Sequence, residues 1–515
     1  MRFQLLASDK VRASLITPAI LVLTLPDWKA GLFKKSLPRP LQKRMEKFSA
    51  KLLTRNPEAF AEGVRIQLPG IEKNEEDFWI ALLPEEKETF FLLEFARDTL
   101  KDALSPSTQK LQLLLGGNPE QQLQLADCFG AALAARVNLL PVYGKRKAKE
   151  KKFRLSEFGI ASLSRESSGS DPHLLTALKI GFASGEGTHL ARYLATLPPN
   201  ILTSEAYGVE IRKIAQDFGL QHKFHSKTDL KKMGAGAFVA VDQGDPDSGG
   251  GIHELTYLPG KSLKALNAQP ISFVGKGLCF DTGGYDIKVS SGMQTMKGDM
   301  QGSAVALATL VTASKLKLPV HLKAFLAVTE NHLSPKAYKA DEVVTALNGM
   351  SIEIIHTDAE GRMVLADTLT MASREKPHMV VDFATLTGTA MQALGTKYSA
   401  VFSNRKELHP SAIQAGEISG ERVWTFPMDS TYFKALESKV ADIAQCTKGR
   451  GPDHIYAACF LSKFIENKTP WVHVDLSTAE NEGGLGHVDS LFTGFGVRWA
   501  LEFLRICLPG LSMKS

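Results

Sequence analysis

Cysteine is scarce in this chain of 515 residues: Cys128, Cys279, Cys446, Cys459 and Cys507 lie far apart, with no C-x-x-C spacing. A zinc ribbon and a disulfide framework are thereby excluded, and a reducing, cytoplasmic setting is expected. Long apolar runs are missing too. Segments such as "LITPAILVLTL" are too short to cross a bilayer, so no membrane partner is expected. Arg2, Asp9, Lys10 and Arg12 interrupt any secretory core at the amino terminus, and no clean Arg-rich amphipathic helix marks a mitochondrial presequence. Internal repeats are not visible, and the one biased tract is the basic run "KRKAKEKKFR" at 145–154. Charge of one sign is also weak. The net charge of +6 is placed unevenly: residues 1–170 hold 27 Lys and Arg against 20 Asp and Glu, the remainder 34 against 35. A solvated linker explains the basic run better than a nucleic-acid patch, since no recognised nucleic-acid motif accompanies it.

What is present is the ordinary composition of a globular protein, 44% hydrophobic and 23% charged, in a chain long enough for two domains. The reading is a small N-terminal α/β domain over 1–170, with the basic linker near 145–154, followed by a larger α/β domain over 171–515. In the first part, "QQLQLADCFGAALAARVNLLP" predicts a helix and then a short strand. The second part opens on "DPHLLTALKIGFASGEGTHLARYLATLPPN", a long helical pattern that stops at Pro198-Pro199. Beyond it, short apolar runs alternate with helical stretches, which predicts a mostly parallel central sheet covered by helices on both faces. The clearest strands are "PISFVGKG" near 270–275, "HLKAFLAVTEN" near 321–329, "MVVDFATLTG" near 379–384 and "WVHVDLSTA" near 471–476. "GAGAFV" at 234–239 lacks the spacing of a dinucleotide fingerprint and predicts a turn before a buried strand.

Each of those strands ends in a polar segment, where ligands bind in open α/β sheets. One such segment is "HTDAEGRM" at 356–363, with Asp358 and Glu360 a residue apart and Arg362 close behind. Alone, an acidic pair is a solvated turn. Asp281 and Asp299, however, also fall at a strand end and at the start of a long apolar helix, "MKGDMQGSAVALATLVTAS". Four carboxylates in one cleft repel one another unless cations neutralise them. Lys276, Lys288 and Arg362 supply part of that charge, and a pair of divalent cations would supply the rest. An oxygen-rich set suits magnesium, manganese or zinc rather than copper. His356 is expected to pack or to form a hydrogen bond rather than to bind a metal.

At these residues the chain resembles the leucyl aminopeptidase family of two-metal exopeptidases. The resemblance covers roughly 172–510 and is carried by "VGKGLCFDTGG", "MKGDM", "HTDAEGRMVLADTL" and "ATLTGTA", with "LPPNILT" and "TGFGVRW" at its flanks. It implies an enzyme that removes the first residue from peptides with a free amino terminus. Two divalent metal ions, zinc or manganese and otherwise magnesium, would be held by Lys276, Asp281, Asp299, Asp358 and Glu360, with Asp281 and Glu360 bridging. Lys288 would be the electrophile, and Arg362 would hold a bicarbonate as general base. The resemblance further implies that Leu386 contacts the reacting carbonyl through its backbone, and that Met296, Thr385 and Gly388 line the pocket for the first side chain. A cytosolic homohexamer acting on peptides completes the set.

Departures from the family pattern lie at His356, in "SPKAYKADE" at 334–342, at Gln301 and Tyr285, and in "STAENEGGLGHVDSLFTGFG" near the end. They bear on substrate preference and leave the expected ligand set untouched. Two rivals belong to other classes: a hexamer that acts mainly as a DNA-binding or structural protein, and a two-metal phosphoesterase. The second lacks a Gly-rich phosphate cradle.

Overall fold

Residues 1–6, 18–24, 26–27, 64–68, 78–83, 88–144, 152–163, 171–245, 249–259, 269–508 and 511 are described by the computed structural model. Positions 145–151, most of the basic run, lie outside the described residues. Two units emerge: Met1–Glu186 with Gly486–Val488, and Gly187–Leu485 with Asp489–Met513. The division falls inside the 25-residue helix Pro172–Thr196. No described helix is long and apolar enough to cross a membrane. All five cysteines are free thiols.

The first unit is built on a sheet in the order β1-β6-β5-β2-β4-β3. Its strands are β1 (Arg2–Leu5), β2 (Ala19–Thr24), β3 (Val64–Leu68), β4 (Phe78–Leu83), β5 (Lys110–Leu115) and β6 (Glu157–Ser162). Among the described residues only the β3 pairing is antiparallel. Helices α1 (Thr89–Ala103) and α2 (Pro119–Val137) bury Leu92, Phe95, Leu125 and Phe129 in its core. Asn118 caps α2 in a capping box with Gln121, which satisfies two amides at the helix start. The short strand expected after α2 does not form. The Asn138 side chain donates to Ala134 O instead, and Pro141 removes a donor that a strand would need. The helix α3 (Pro172–Thr196) ends just before Pro198-Pro199, as the sequence predicts.

The second unit carries an eight-stranded sheet in the order β15-β14-β17-β13-β9-β10-β8-β7. In chain order the strands are β7 (Gln221–Ser226), β8 (Gly251–Tyr257), β9 (Ile271–Asp281), β10 (Leu322–Asn331), β13 (Met379–Ala384), β14 (Ser399–Ser403), β15 (Val423–Thr425) and β17 (Trp471–Asp475). The central set β17-β13-β9-β10 is parallel throughout. These four are the runs singled out above; each is apolar nearly end to end because both faces are covered. A small sheet of β11 (Val343–Thr345), β12 (Ser351–Glu353) and β16 (Ile443–Ala444) stands apart.

Helices α4 (Gln301–Lys315) and α5 (Glu360–Arg374) cover opposite faces of β9: Gly275 lies against Ser303 of α4, and Lys276 against Gly361 of α5. The approach of α4 is close. A Cβ on Gly302 would stand 2.0 Å from Phe383 O of β13, so glycine is required there. Farther along are α6 (Gly388–Leu394), α7 (Asp453–Ser462) and α8 (Val497–Cys507). Strand β9 is irregular near its end. Leu278 pairs with Thr329 and Asp281 with Asn331, so three steps on β9 match two on β10. This bulge inverts the side-chain alternation, and Lys276 and Asp281 reach the same cavity although five positions separate them.

"GAGAFV" forms a turn at Gly234, where φ is 85°, but a helix over Gly236–Asp242 follows it rather than a strand. The deciding contact is distant in sequence. Asp367 of α5 accepts the Phe238 N–H at 2.8 Å, which stabilises the first turn of that helix.

Candidate metal centre

A cavity of about 710 Å³ opens where β9, β13 and β17 end. All eleven residues proposed from the sequence line it: Lys276, Asp281, Lys288, Met296, Asp299, Asp358, Glu360, Arg362, Thr385, Leu386 and Gly388. Lys276 and Asp281 come from β9, Met296 and Asp299 from the turn before α4, and Thr385 and Leu386 from the segment after β13. Glu360 and Arg362 belong to the first turn of α5, where the helix dipole favours the glutamate.

The segment "HTDAEGRM" is fixed by Thr357, which is fully buried. Its Oγ1 donates to Gly283 O at 2.6 Å, its N–H to Asp286 Oδ2 at 2.7 Å, and its carbonyl accepts from Tyr338 OH at 2.7 Å and Asn331 Nδ2 at 3.1 Å. With Thr357 pinned, Asp358 and Glu360 are turned into the cavity. His356 is half exposed, and its Nδ1 accepts the Asp358 N–H at 3.2 Å, the hydrogen-bonding role expected of it.

Two ammonium groups are shared among four carboxylates. Lys276 Nζ lies 2.8 Å from Asp299 Oδ2 and 3.0 Å from Glu360 Oε1, and donates to Thr385 O at 2.9 Å. Lys288 Nζ lies 2.9 Å from Asp281 Oδ2 and 2.5 Å from Asp358 Oδ1. Burial pulls both lysines down, yet the surrounding carboxylates hold them above the usual lysine range. Burial pushes Asp299 and Asp358 up, and repulsion from Asp281 and Glu360 adds to it, against the pull of the lysines. Four carboxyl groups thus face two ammonium groups, and full ionisation of the set is unfavourable without a further cation. One oxygen each from Asp281, Asp358 and Glu360 fall within 4.8 Å of one another. Glu360 Oε2 is buried and receives no hydrogen bond among the described residues. A bare, buried carboxylate oxygen facing two others is costly unless a cation meets it, so the residues present fit divalent metal ions.

Gly361 sets how closely α5 approaches Lys276. A Cβ there would lie 2.6 Å from Lys276 Cε and 2.7 Å from Nζ, both at the movable end of a side chain. Gly361→Ala is therefore expected to fold normally while displacing Lys276. Activity should fall about 10²-fold, the effect of an ångström-scale misplacement, with a melting temperature close to that of the wild type. A variant with full activity would show that the position of Lys276 is not critical.

Sequence reasoning missed three residues of this cavity. Asp475, at the end of β17, accepts the N–H groups of Leu386 and Thr387 at 3.1 and 3.3 Å and the Thr387 hydroxyl at 2.6 Å, and so holds the segment after β13. Glu480 lines the side that holds Met296, and burial pushes its carboxyl up. Asp453, the first residue of α7, forms an ion pair with Arg362. The available signal was weak: Asp475 directly ends an apolar strand, and Asp453 follows a proline at a helix start.

The family model for the catalytic domain of the cytosol aminopeptidase family matches residues 189–501. The chain is 40% identical over 321 residues to a probable cytosol aminopeptidase of Syntrophotalea carbinolica, covering 62% of this chain and 63% of that protein. A probable cytosol aminopeptidase of Stutzerimonas stutzeri is 41% identical over 304 residues, covering 59% and 60% respectively. The chain thus spans somewhat under two thirds of the length of these relatives. Among solved structures, the bottromycin maturation enzyme BotP in complex with Mn matches 96% of this chain and 99% of its own, with a TM-score of 0.75 and 28% identity.

Proposed function

Because the chain belongs to the cytosol aminopeptidase family, we propose that it is a metal-dependent aminopeptidase that releases the first residue of peptides with a free amino terminus. The observation that carries this reading is the convergence of Asp281, Asp358 and Glu360 around a bare, buried carboxylate oxygen. Lys276, Asp281, Asp299, Asp358 and Glu360 would hold two divalent cations. Carboxylate oxygens with one amine suit zinc or manganese, and magnesium after them. Bound there, such cations supply Lewis-acid polarisation of the peptide carbonyl and acidify water.

The chain's own groups do the rest. Lys288, held at the cavity wall by Asp281 and Asp358, stabilises negative charge as it develops on the carbonyl oxygen. The backbone of Leu386, fixed by Asp475, borders that carbonyl, and Met296, Thr385 and Gly388 surround the first side chain. Arg362 stands beside the attacking water, and any bicarbonate bound there would share it with Asp453. A homohexamer acting on peptides belongs to the same reading and rests on family membership. No observation favours the DNA-binding rival.

Hydrolysis of a leucyl amide by the metal-loaded protein, beside its N-acetylated form, tests the proposal. The acetylated compound should be slower by at least about 10²-fold, because a site built for a polar group rejects a substrate that lacks it. Equal rates, or activity on phosphate esters alone, would sink the aminopeptidase reading.

A further inference from the structure

Arg362 is fully buried, and two of its three guanidinium nitrogens are already engaged by the chain itself, while Nε has no hydrogen-bond partner among the described residues. Nη2 donates to Asp453 Oδ2 at 2.6 Å and Nη1 to Gln445 O at 3.3 Å. The partner carboxylate is unlike the rest of the cluster: the Asp453 side chain is 35% exposed and lines the same cavity as Asp281, Asp358 and Glu360. Its position is firm. Asp453 opens α7, where the helix dipole favours an anion, and its N–H donates to Gly451 O at 2.9 Å. The next residue, His454, ties this helix start to α6: its N–H donates to Thr389 Oγ1 at 2.8 Å, and its Nδ1 lies 3.0 Å from the same hydroxyl. An exposed ion pair would contribute little. Here a buried arginine holds a cavity-facing carboxylate that no other salt bridge claims among the described residues.

We propose that Asp453 is a catalytic residue of this site: the general base, carried in the chain and positioned by Arg362. The inference rests on the aminopeptidase reading. Asp453 takes one proton from the attacking water as the oxygen–carbon bond forms and the carbonyl π pair moves onto oxygen. The proton then passes to the amide nitrogen as the carbon–nitrogen bond breaks. A carboxylic acid and an amine leave, and Asp453 is an anion again. With this carboxylate on its guanidinium, Arg362 needs no anion from solution.

The test uses the full-length, metal-loaded protein in carbonate-depleted buffer, with a leucyl amide as substrate. Bicarbonate should leave the wild-type rate unchanged. Asp453→Ala should retain its metals and lose about 10²–10³-fold in rate, the usual weight of general base help. Bicarbonate or formate should then restore at least about tenfold, by placing a carboxylate back on Arg362. Asp453→Asn keeps the shape and the contact to Arg362 but cannot accept the proton, so it should be equally slow and resist rescue. Magnetic resonance of isotope-labelled bicarbonate gives a readout apart from activity: the ion should bind Asp453→Ala and not the wild type. A full rate in either variant, a slow Asp453→Ala that no carboxylate rescues, or bicarbonate stimulation of the wild type would each overturn the assignment. A wild type unable to cleave the amide would instead overturn the aminopeptidase reading, and the bicarbonate-binding contrast would still decide what occupies Arg362.

Discussion

Glu360→Gln is expected to abolish metal binding and lower peptide hydrolysis by about 10⁴-fold, the several kcal/mol that metal ions contribute to stabilising transition-state charge. The substitution is close to isosteric. The amide oxygen can still accept from Lys276, while the nitrogen takes the place of Oε2, which receives no hydrogen bond among the described residues. What is lost is one negative charge in a crowded cluster, so the fold has no reason to suffer. Without metal, the variant should melt no lower than the wild type. Added zinc or manganese should raise the wild-type melting temperature and leave the variant's nearly unchanged, because a ligand stabilises only the state that binds it. Asp281→Asn should behave alike, although it also exchanges an acceptor of the Gly283 N–H and Asn331 Nδ2 donors for a mixed amide. Metal analysis settles the matter: full metal occupancy in both variants would remove Glu360 and Asp281 from the ligand set.

Arg362→Ala is expected to separate chemistry from metal binding. No carboxylate of the cluster depends on this arginine for a hydrogen bond; its partners are Asp453 and Gln445 O. The variant should therefore keep its metals and lose about 10²–10⁴-fold in rate. Arg362→Lys should recover part of the loss, since an ammonium supplies charge without the planar fork. Combining Arg362→Ala with Asp453→Ala should cost little more than Arg362→Ala alone, because the two residues act as one unit and their effects are not additive. Loss of metal from Arg362→Ala would mean that the arginine organises the carboxylates, and its role would have to be reassigned.

The chain displayed some of this architecture openly and hid the rest for physical reasons. Strands β9, β10, β13 and β17 were legible because burial on two faces writes itself as unbroken apolar runs. Lys276 and Lys288 were legible only as cations that offset part of the acids' charge. Asp281, Asp358 and Glu360 were visible as acids placed where strands end or helices begin, and the family blocks around them fixed their roles as expectations. Asp453 was not legible. Its importance comes from Arg362, 91 positions away, and a carboxylate at a helix start has an ordinary explanation. Asp475 was hidden likewise, since the amides it holds lie 88 and 89 positions off. The helix over Gly236–Asp242 defeated local reading because its first turn is capped by Asp367, 129 positions downstream. In each case the determinant was a long-range polar contact, and periodicity reports only on the burial of a segment's own faces.

The bulge in β9 has a consequence for insertions and deletions. In a regular strand, residues five apart point to opposite faces. The extra residue between Leu278 and Asp281 cancels that parity and brings Lys276 and Asp281 to one side. Deleting a single residue at Cys279 or Phe280 would remove the bulge and leave the lysine and the aspartate four apart in a regular pleat, still on one side, so the proposed centre should survive that loss. The spacing of this lysine and this aspartate therefore has meaning only together with the strand pairing: five with the bulge, or four without it. A homologous chain that kept the five-position spacing but paired regularly here could carry all five proposed ligand types and still be unable to assemble the centre.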